Sequence, residues 1–229
     1  MRIGSSLFAR GGLNYMLHTI SPLWILSSGR TGSSFLVSFF NAALGSREFK
    51  EFTLGVDHRN EILKRPPRFI KLQRQFFEQS GFDDSDRNKI KKIHPKIRYI
   101  VLKRKDVVGQ TISLYLAEKT KCWGVYSDDK LAEYKSMKVD WDQDRVMLLY
   151  DRVLRSADAW DSYVQDQQHM TFYYEDIFGD NQKEVLARVS DFSTLNVNVE
   201  ENIEKIRLKK MQHPATEKYI QKLNTLIGS

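Results

Sequence analysis

Trp24-Ile25-Leu26-Ser27-Ser28-Gly29-Arg30-Thr31-Gly32-Ser33-Ser34-Phe35-Leu36 is the stretch on which the architecture turns. Leu23 to Ser27 is apolar and bounded by Pro22 and Gly29, which predicts a buried strand. Ser33 to Leu44 carries Leu36, Phe39, Phe40 and Ala43 at helical spacing, and Gly45 ends it. Only a turn of small residues separates strand from helix. The first N–H groups of a helix have no intrahelical acceptor and carry a partial positive charge, so such a turn is an anion site. Thr31, Ser33 and Ser34 add hydroxyls, Gly32 lets the backbone approach, and Arg30 adds a guanidinium that can grip two oxygens. The alternative is an ordinary strand-to-helix turn, with Ser33 or Ser34 as N-cap and Arg30 in solvent. The turn is not GxxxxGK[ST]. Gly32 is followed by Ser33 where that motif needs the Lys that reaches a triphosphate, and Arg30 is the only cation in the turn.

A second segment has the same plan. Ile97-Arg98-Tyr99-Ile100-Val101-Leu102 is nearly continuous apolar, as a strand covered on both faces should be. It runs into Lys103-Arg104-Lys105-Asp106 and a helix expected from Asp106 to about Lys121. Asp106, Gln110 and Ser113 share one face of that helix. Arg104 and Ser113 can converge on a second phosphate, away from the first turn; alternatively Asp106 simply N-caps a helix with a solvated polar face.

Further strands are expected at Phe69 to Gln73 and Met170 to Tyr174, and a short extended piece at Phe49 to Leu54. Helices are expected near Phe76, from Asp83 to Ile93 (helix or loop), Trp141 to Asp166, Gln182 to Phe192, Glu200 to Lys209 and Thr216 to Ile227. Alternating strands and helices imply an α/β fold with a central parallel sheet flanked by helices, P-loop-like, with ligands at the carboxyl ends of the strands.

The 229 residues suit one domain with a full core, and 41% hydrophobic with 12% aromatic residues exclude a disordered chain. We expect residues 1–20 to be an N-terminal extension and 21–229 a single domain. Cys122 is the single cysteine, which leaves no intrachain disulfide or cysteine-based zinc site and fits a reducing, cytoplasmic setting. No apolar run approaches the roughly 20 residues of a membrane span. The net charge of +7 and pI near 9.3 suit a polyanionic partner, with basic residues concentrated between Arg59 and Lys105. No signature of a nucleic-acid-binding module accompanies them.

Taken together, Arg30-Thr31-Gly32-Ser33-Ser34 and the Arg104/Ser113 pair resemble the sulfotransferases that use 3′-phosphoadenosine 5′-phosphosulfate (PAPS). The run from Lys103 to Val108 through Gln110, Ser113 and Thr120 to Trp123 is similar to the bacterial trehalose 2-sulfotransferase branch, and Tyr174-Glu175-Asp176 resembles a Tyr-Glu-Asp found in many sulfotransferases. The resemblance covers about Leu23 to Phe192. It implies the sulfotransferase fold, a first turn that holds the 5′-phosphosulfate, and Arg104 with Ser113 on the 3′-phosphate. PAPS is then the co-substrate and 3′-phosphoadenosine 5′-phosphate (PAP) the product, with no metal.

In that branch the base is a Glu in a Glu-x-x-Glu-Phe context, matched here by Glu48-Phe49-Lys50-Glu51-Phe52. The resemblance makes Glu51 the general base and Glu48 a substrate ligand; the alternative for Glu51 is an exposed loop carboxylate. His58 is the rival base, since other sulfotransferases use His and its ordinary pKa suits the task. Lys71 is a further candidate near the sulfuryl oxygens, against the alternative of a surface lysine. Trp123 is expected in the core rather than against the adenine. Tyr174-Glu175-Asp176 is read as structural, capping the helix that follows it and orienting the sheet edge, and basic Arg207 to His213 as a segment able to close over a nucleotide. The chain is much shorter than trehalose-type members between Glu51 and Lys71, where the acceptor site is shaped. The expected acceptor is therefore a hydroxyl on a small molecule or glycan rather than trehalose itself. Relatives form homodimers. Three other functions compete: a P-loop-like nucleotide kinase, a basic polyanion-binding protein without catalysis, and a nucleotide binder that has lost its base.

Overall fold

The computed structural model describes residues 21–44, 50–51, 57–64, 67–74, 83–195 and 197–228. Its centre is a sheet of five parallel strands in the order β2-β3-β1-β4-β5. The strands are β1 (Leu23–Ser27), β2 (Lys50–Glu51), β3 (Phe69–Gln73), β4 (Arg98–Lys103) and β5 (His169–Tyr173). The helices are α1 (Ser33–Leu44), α2 (Asp57–Lys64), α3 (Asp84–Ile93), α4 (Val107–Thr120), α5 (Asp128–Ser136), α6 (Gln143–Val164), α7 (Tyr174–Ile177), α8 (Gln182–Ser193), α9 (Val199–Glu204) and α10 (Thr216–Ile227).

Side chains alternate across a strand, and both faces of this sheet are covered. Leu23 and Ile25 of β1 join Ile100 and Leu102 of β4 in a core with Phe35, Leu36 and Phe39 of α1 and Val185, Leu186 and Val189 of α8. The intervening residues, Trp24 and Leu26 with Tyr99 and Val101, pack on the other face against Ile62, Ile90, Trp160 and Val164 of α2, α3 and α6. The continuous apolar run of β1 is thus two interleaved faces, each dry. A third cluster joins α4, α6 and α10 through Ile112, Tyr115, Leu149, Val153, Tyr219 and Leu223.

The order of strands decides where a ligand can enter. The chain leaves β1 toward β2 and β3 on one flank, then crosses to β4 and β5 on the other. The turns after β1 and β4 therefore diverge side by side, and a crevice opens between them at the carboxyl edge. Among the described residues, no helix is long and apolar enough to cross a membrane.

Several expected elements shift. The helix expected from Glu200 to Lys209 stops at Glu204, because the chain beyond it runs along the crevice and Lys209 N–H donates to Val125 O. The helices α2 and α5 were not anticipated: both are short, charged and weakly patterned, and α5 shows its start chiefly through the Ser127 side chain accepting from Lys130 N–H. Asp83 to Ile93 resolves to a helix, closed by a reciprocal cap between Asp83 and Asp86. The helix expected near Phe76 lies outside the described residues.

Candidate active site

The first turn adopts the conformation an anion site requires. Gly29, Arg30 and Gly32 all have positive φ, at 78°, 55° and 82°. Positive φ on both sides of Thr31 bends the backbone sharply, and turns of this kind can fold successive N–H groups into a concavity that attracts anions. Arg30 is not glycine, and a left-handed residue of this kind costs on the order of 1–3 kcal/mol, a strain that tends to be kept at functional sites. Gly32 is held to glycine twice over. A Cβ there would also lie 2.8 Å from Phe178 Cε2 and 3.4 Å from Tyr174 Cδ2.

Arg30 is fastened across the crevice. Its Nε donates to Ser113 Oγ at 2.9 Å and its Nη1 to the Trp123 carbonyl at 2.8 Å, with Nη2 3.9 Å from Met211 Sδ. Burial pulls its pKa below the ordinary guanidinium value, yet a guanidinium remains charged at any working pH. Gln110 completes the support: its Nε2 donates to Gly29 O at 2.7 Å and to Ser28 Oγ at 3.0 Å. Gln110 and Ser113 therefore buttress the first turn, while Asp106 on the same face stays exposed.

Lys71 is no surface residue. It sits in β3, 1% exposed, and its Nζ donates to Ser34 Oγ at 3.1 Å. Its ammonium is thus held out of water at the start of α1, against the Ser34 hydroxyl. The alternative of a solvated Arg30 fails equally: the turn is built inward, onto α4 and β3.

Arg104 lies at the end of β4. Its Nη2 donates to Asp106 Oδ2 at 3.1 Å, its Nε is 3.8 Å from Glu175 Oε1, and its guanidinium sits 4.6 Å above the Tyr174 ring. Its buried Nε has no hydrogen-bond acceptor among the described residues. Asp106 does N-cap α4, accepting from Gly109 N–H at 2.7 Å, while its second oxygen holds Arg104. Ser113 Oγ accepts from Arg30 Nε in this structure and so links the two turns, which line one site.

That shared site is a cleft of about 760 Å³. Arg30, Gly32, Ser33 and Ser34 line it from the first turn, and Arg104, Asp106 and Ser113 from the second. Leu208 to Gln212 form the opposite wall, which places the basic C-terminal segment where it was expected. Thr31 differs from its neighbours. Its side chain is fully buried beneath the turn and is not part of the cleft lining, and its Oγ1 has no hydrogen-bond partner among the described residues. Trp123 is not in the core: it is 47% exposed and lines the cleft, because its carbonyl, not its ring, is tied down by Arg30.

Tyr174-Glu175-Asp176 is structural at the sheet edge, as expected, but not as a cap. It does not cap the helix that follows; the N-cap of α7, Tyr173, makes no side-chain cap bond. Glu175 reaches back to the preceding turn, where Oε2 accepts from Lys105 N–H at 3.0 Å and Oε1 from Asp106 N–H at 3.1 Å. Asp176 pairs with Lys105 Nζ at 2.8 Å. Nothing in the local sequence of either segment signals this contact, which exists because β5 lies beside β4.

The remaining expected residues are partly placed. Glu51 stands on β2, in register with Lys71 across the β2–β3 ladder; it is placed by its backbone alone. His58 is likewise placed only by the backbone of α2. Glu48 lies outside the described residues. Among the described residues, no group of three or more His, Cys, Asp and Glu is arranged to hold a metal.

A parallel α/β sheet with two basic turns on one cleft at its topological switch point defines an α/β protein whose site is suited to an anionic ligand. The family model described as Stf0 sulphotransferase matches residues 72–224, well over half of the chain. The chain therefore belongs to the Stf0 sulphotransferase family, as the motifs indicated, and is a sulfuryl-transferring enzyme by membership. The match begins beyond the Arg30 turn, so the geometry of that turn is independent support. No curated protein matches the chain.

Proposed function

We propose that the enzyme moves the sulfuryl group of PAPS to a hydroxyl of a carbohydrate acceptor and releases PAP, with Glu51 as general base. The observation that carries this reading is the convergence of the Arg30 turn and Arg104 on one cleft, with Lys71 buried behind it and bonded to Ser34 of the lining. Sulfuryl transfer needs compensation on the sulfuryl oxygens and on the leaving phosphate, and an acceptor oxygen that sheds its proton. The N–H groups of Ser33 and Ser34, the Arg30 guanidinium and the Lys71 ammonium supply the first two. Arg104 and Ser113 are suited to the 3′-phosphate, with Lys209 and Lys210 of the opposite wall adding charge.

PAPS, when bound, supplies an activated sulfur whose bond to the 5′-phosphate breaks as the acceptor oxygen bonds to it. Glu51 accepts the acceptor's proton, and its position in register with Lys71 sets it on the strand next to the residue at the first turn. Glu48 is the proposed acceptor ligand, and His58 the base if Glu51 is not.

Calorimetric titration with PAP, AMP and ATP, without magnesium, tests the donor. Clear preference for PAP over AMP is the expected result. No binding, or preference for ATP, would remove the PAPS assignment and favour a kinase-like reading.

A further inference from the structure

Three observations converge on Tyr174 and Glu175. First, the carboxylate of Glu175 accepts both N–H groups of the turn that carries Arg104, at 3.0 and 3.1 Å. A carboxylate bonded to two backbone donors fixes their spacing more firmly than neutral acceptors do. Second, Arg104 lies on the Tyr174 ring, which faces it from below at 4.6 Å. Third, the same ring meets the other anion turn: Tyr174 and Phe178, themselves 4.6 Å apart, are the atoms nearest to a Cβ at Gly32. One short segment after β5 thus touches the turns after β1 and after β4.

We infer that Tyr174 and Glu175 are positioning residues that hold Arg104 at a fixed distance from the Gly32 turn, so that one ligand with two separated anionic groups is read by both. The inference rests on the proposed function, where those groups are the 5′- and 3′-phosphates of the nucleotide. Neither residue is itself placed to do chemistry. Glu175 has its oxygens on backbone donors, and Tyr174 presents a ring face to a guanidinium. Asp176 contributes little, because its partner Lys105 and its own carboxylate are both widely exposed.

The test is Glu175→Gln, which keeps the side-chain shape but sets an amide N–H2 against one of the two backbone donors. PAP and AMP affinities are measured by calorimetry, with thermal melting as the check on folding. Loss of one charge-assisted bond corresponds to roughly tenfold. We expect PAP binding to weaken by about that factor with AMP binding unchanged, so the PAP-to-AMP ratio falls. Tyr174→Leu removes the ring face and lowers the same ratio by roughly threefold. A variant that keeps the parental ratio overturns the inference. So does an equal loss for both ligands with a lowered melting temperature, which would mark Glu175 as general support. If the parent itself does not prefer PAP, the proposed function fails. Amide exchange then decides the positioning role: faster exchange at Lys105 and Asp106 in Glu175→Gln supports it, and unchanged exchange overturns it.

Discussion

Adding one methyl group at Gly32 and, separately, at Gly29 isolates the contact that spaces the two turns. Both residues have left-handed backbone, with φ of 82° and 78°. Each substitution to Ala therefore costs about 1–2 kcal/mol in backbone conformation, and each gains the same small amount from a less flexible unfolded chain. Their surroundings differ. A Cβ at Gly29 meets Leu114 Cδ1 at 3.9 Å, an ordinary contact, whereas one at Gly32 meets Phe178 Cε2 at 2.8 Å and Tyr174 Cδ2 at 3.4 Å. Carbon atoms pack best at about 3.5–4.0 Å, so only Gly32→Ala adds an overpacking term, on the order of 1–3 kcal/mol. In a chain of this length each kcal/mol moves the melting temperature by about 2–4 °C. Gly32→Ala should then melt roughly 2–12 °C below Gly29→Ala, by circular dichroism at matched scan rate. The relief of the clash displaces Phe178, whose ring packs 4.6 Å from that of Tyr174, on which Arg104 rests, so PAP binding should weaken further in Gly32→Ala than in Gly29→Ala. Equal melting temperatures for the two variants would refute the claim that Tyr174 and Phe178 pack hard against the first turn.

Arg104→Ala removes a charge-assisted contact worth about 1.5–3 kcal/mol; calorimetry should show PAP weakened by roughly 10- to 150-fold and AMP little changed. Glu51→Gln should bind PAP like the parent yet release almost none of it from PAPS when glycan acceptors are supplied; turnover at the parental rate would make His58→Gln the next variant. Lys71→Met should weaken PAP binding by about tenfold or more, and an unchanged affinity would remove Lys71 from the ligand's surroundings. Burial raises the Tyr99 phenol from its ordinary 10.0 to about 12. Between those values the unfolded chain has released a proton that the folded chain keeps, so stability falls as pH rises, by about 2–3 kcal/mol across the interval. Urea unfolding at pH 9 to 12 should show that slope, and Tyr99→Phe should make it shallower.

What the sequence determined by itself is what local chemistry dictates. Leu23–Ser27 and the strand after Ile97 are long apolar runs with turn residues at their ends, and they form as strands wherever they are covered. Ser33–Leu44 has helical periodicity and small residues at its start, and the structure begins and ends it where the pattern does. The anion-binding character of the Arg30 turn follows from the same facts, because helix N-termini expose donors in any fold. Tertiary structure alone decided which of these pieces meet. Lys71 reads as a surface residue until β3 is known to lie beside β1, where its side chain is enclosed under Ser34. Ser113 lines the cleft with Arg104 as expected, but only the packing of α4 over the first turn shows that it also accepts from Arg30. Glu175 reads as the cap of its own helix until β5 pairs with β4, which brings its carboxylate to the N–H groups of Lys105 and Asp106. Strand order is set by which apolar faces bury best together over the whole chain, a global balance that no window of sequence contains, and the spacing of the two anion turns is a consequence of that order.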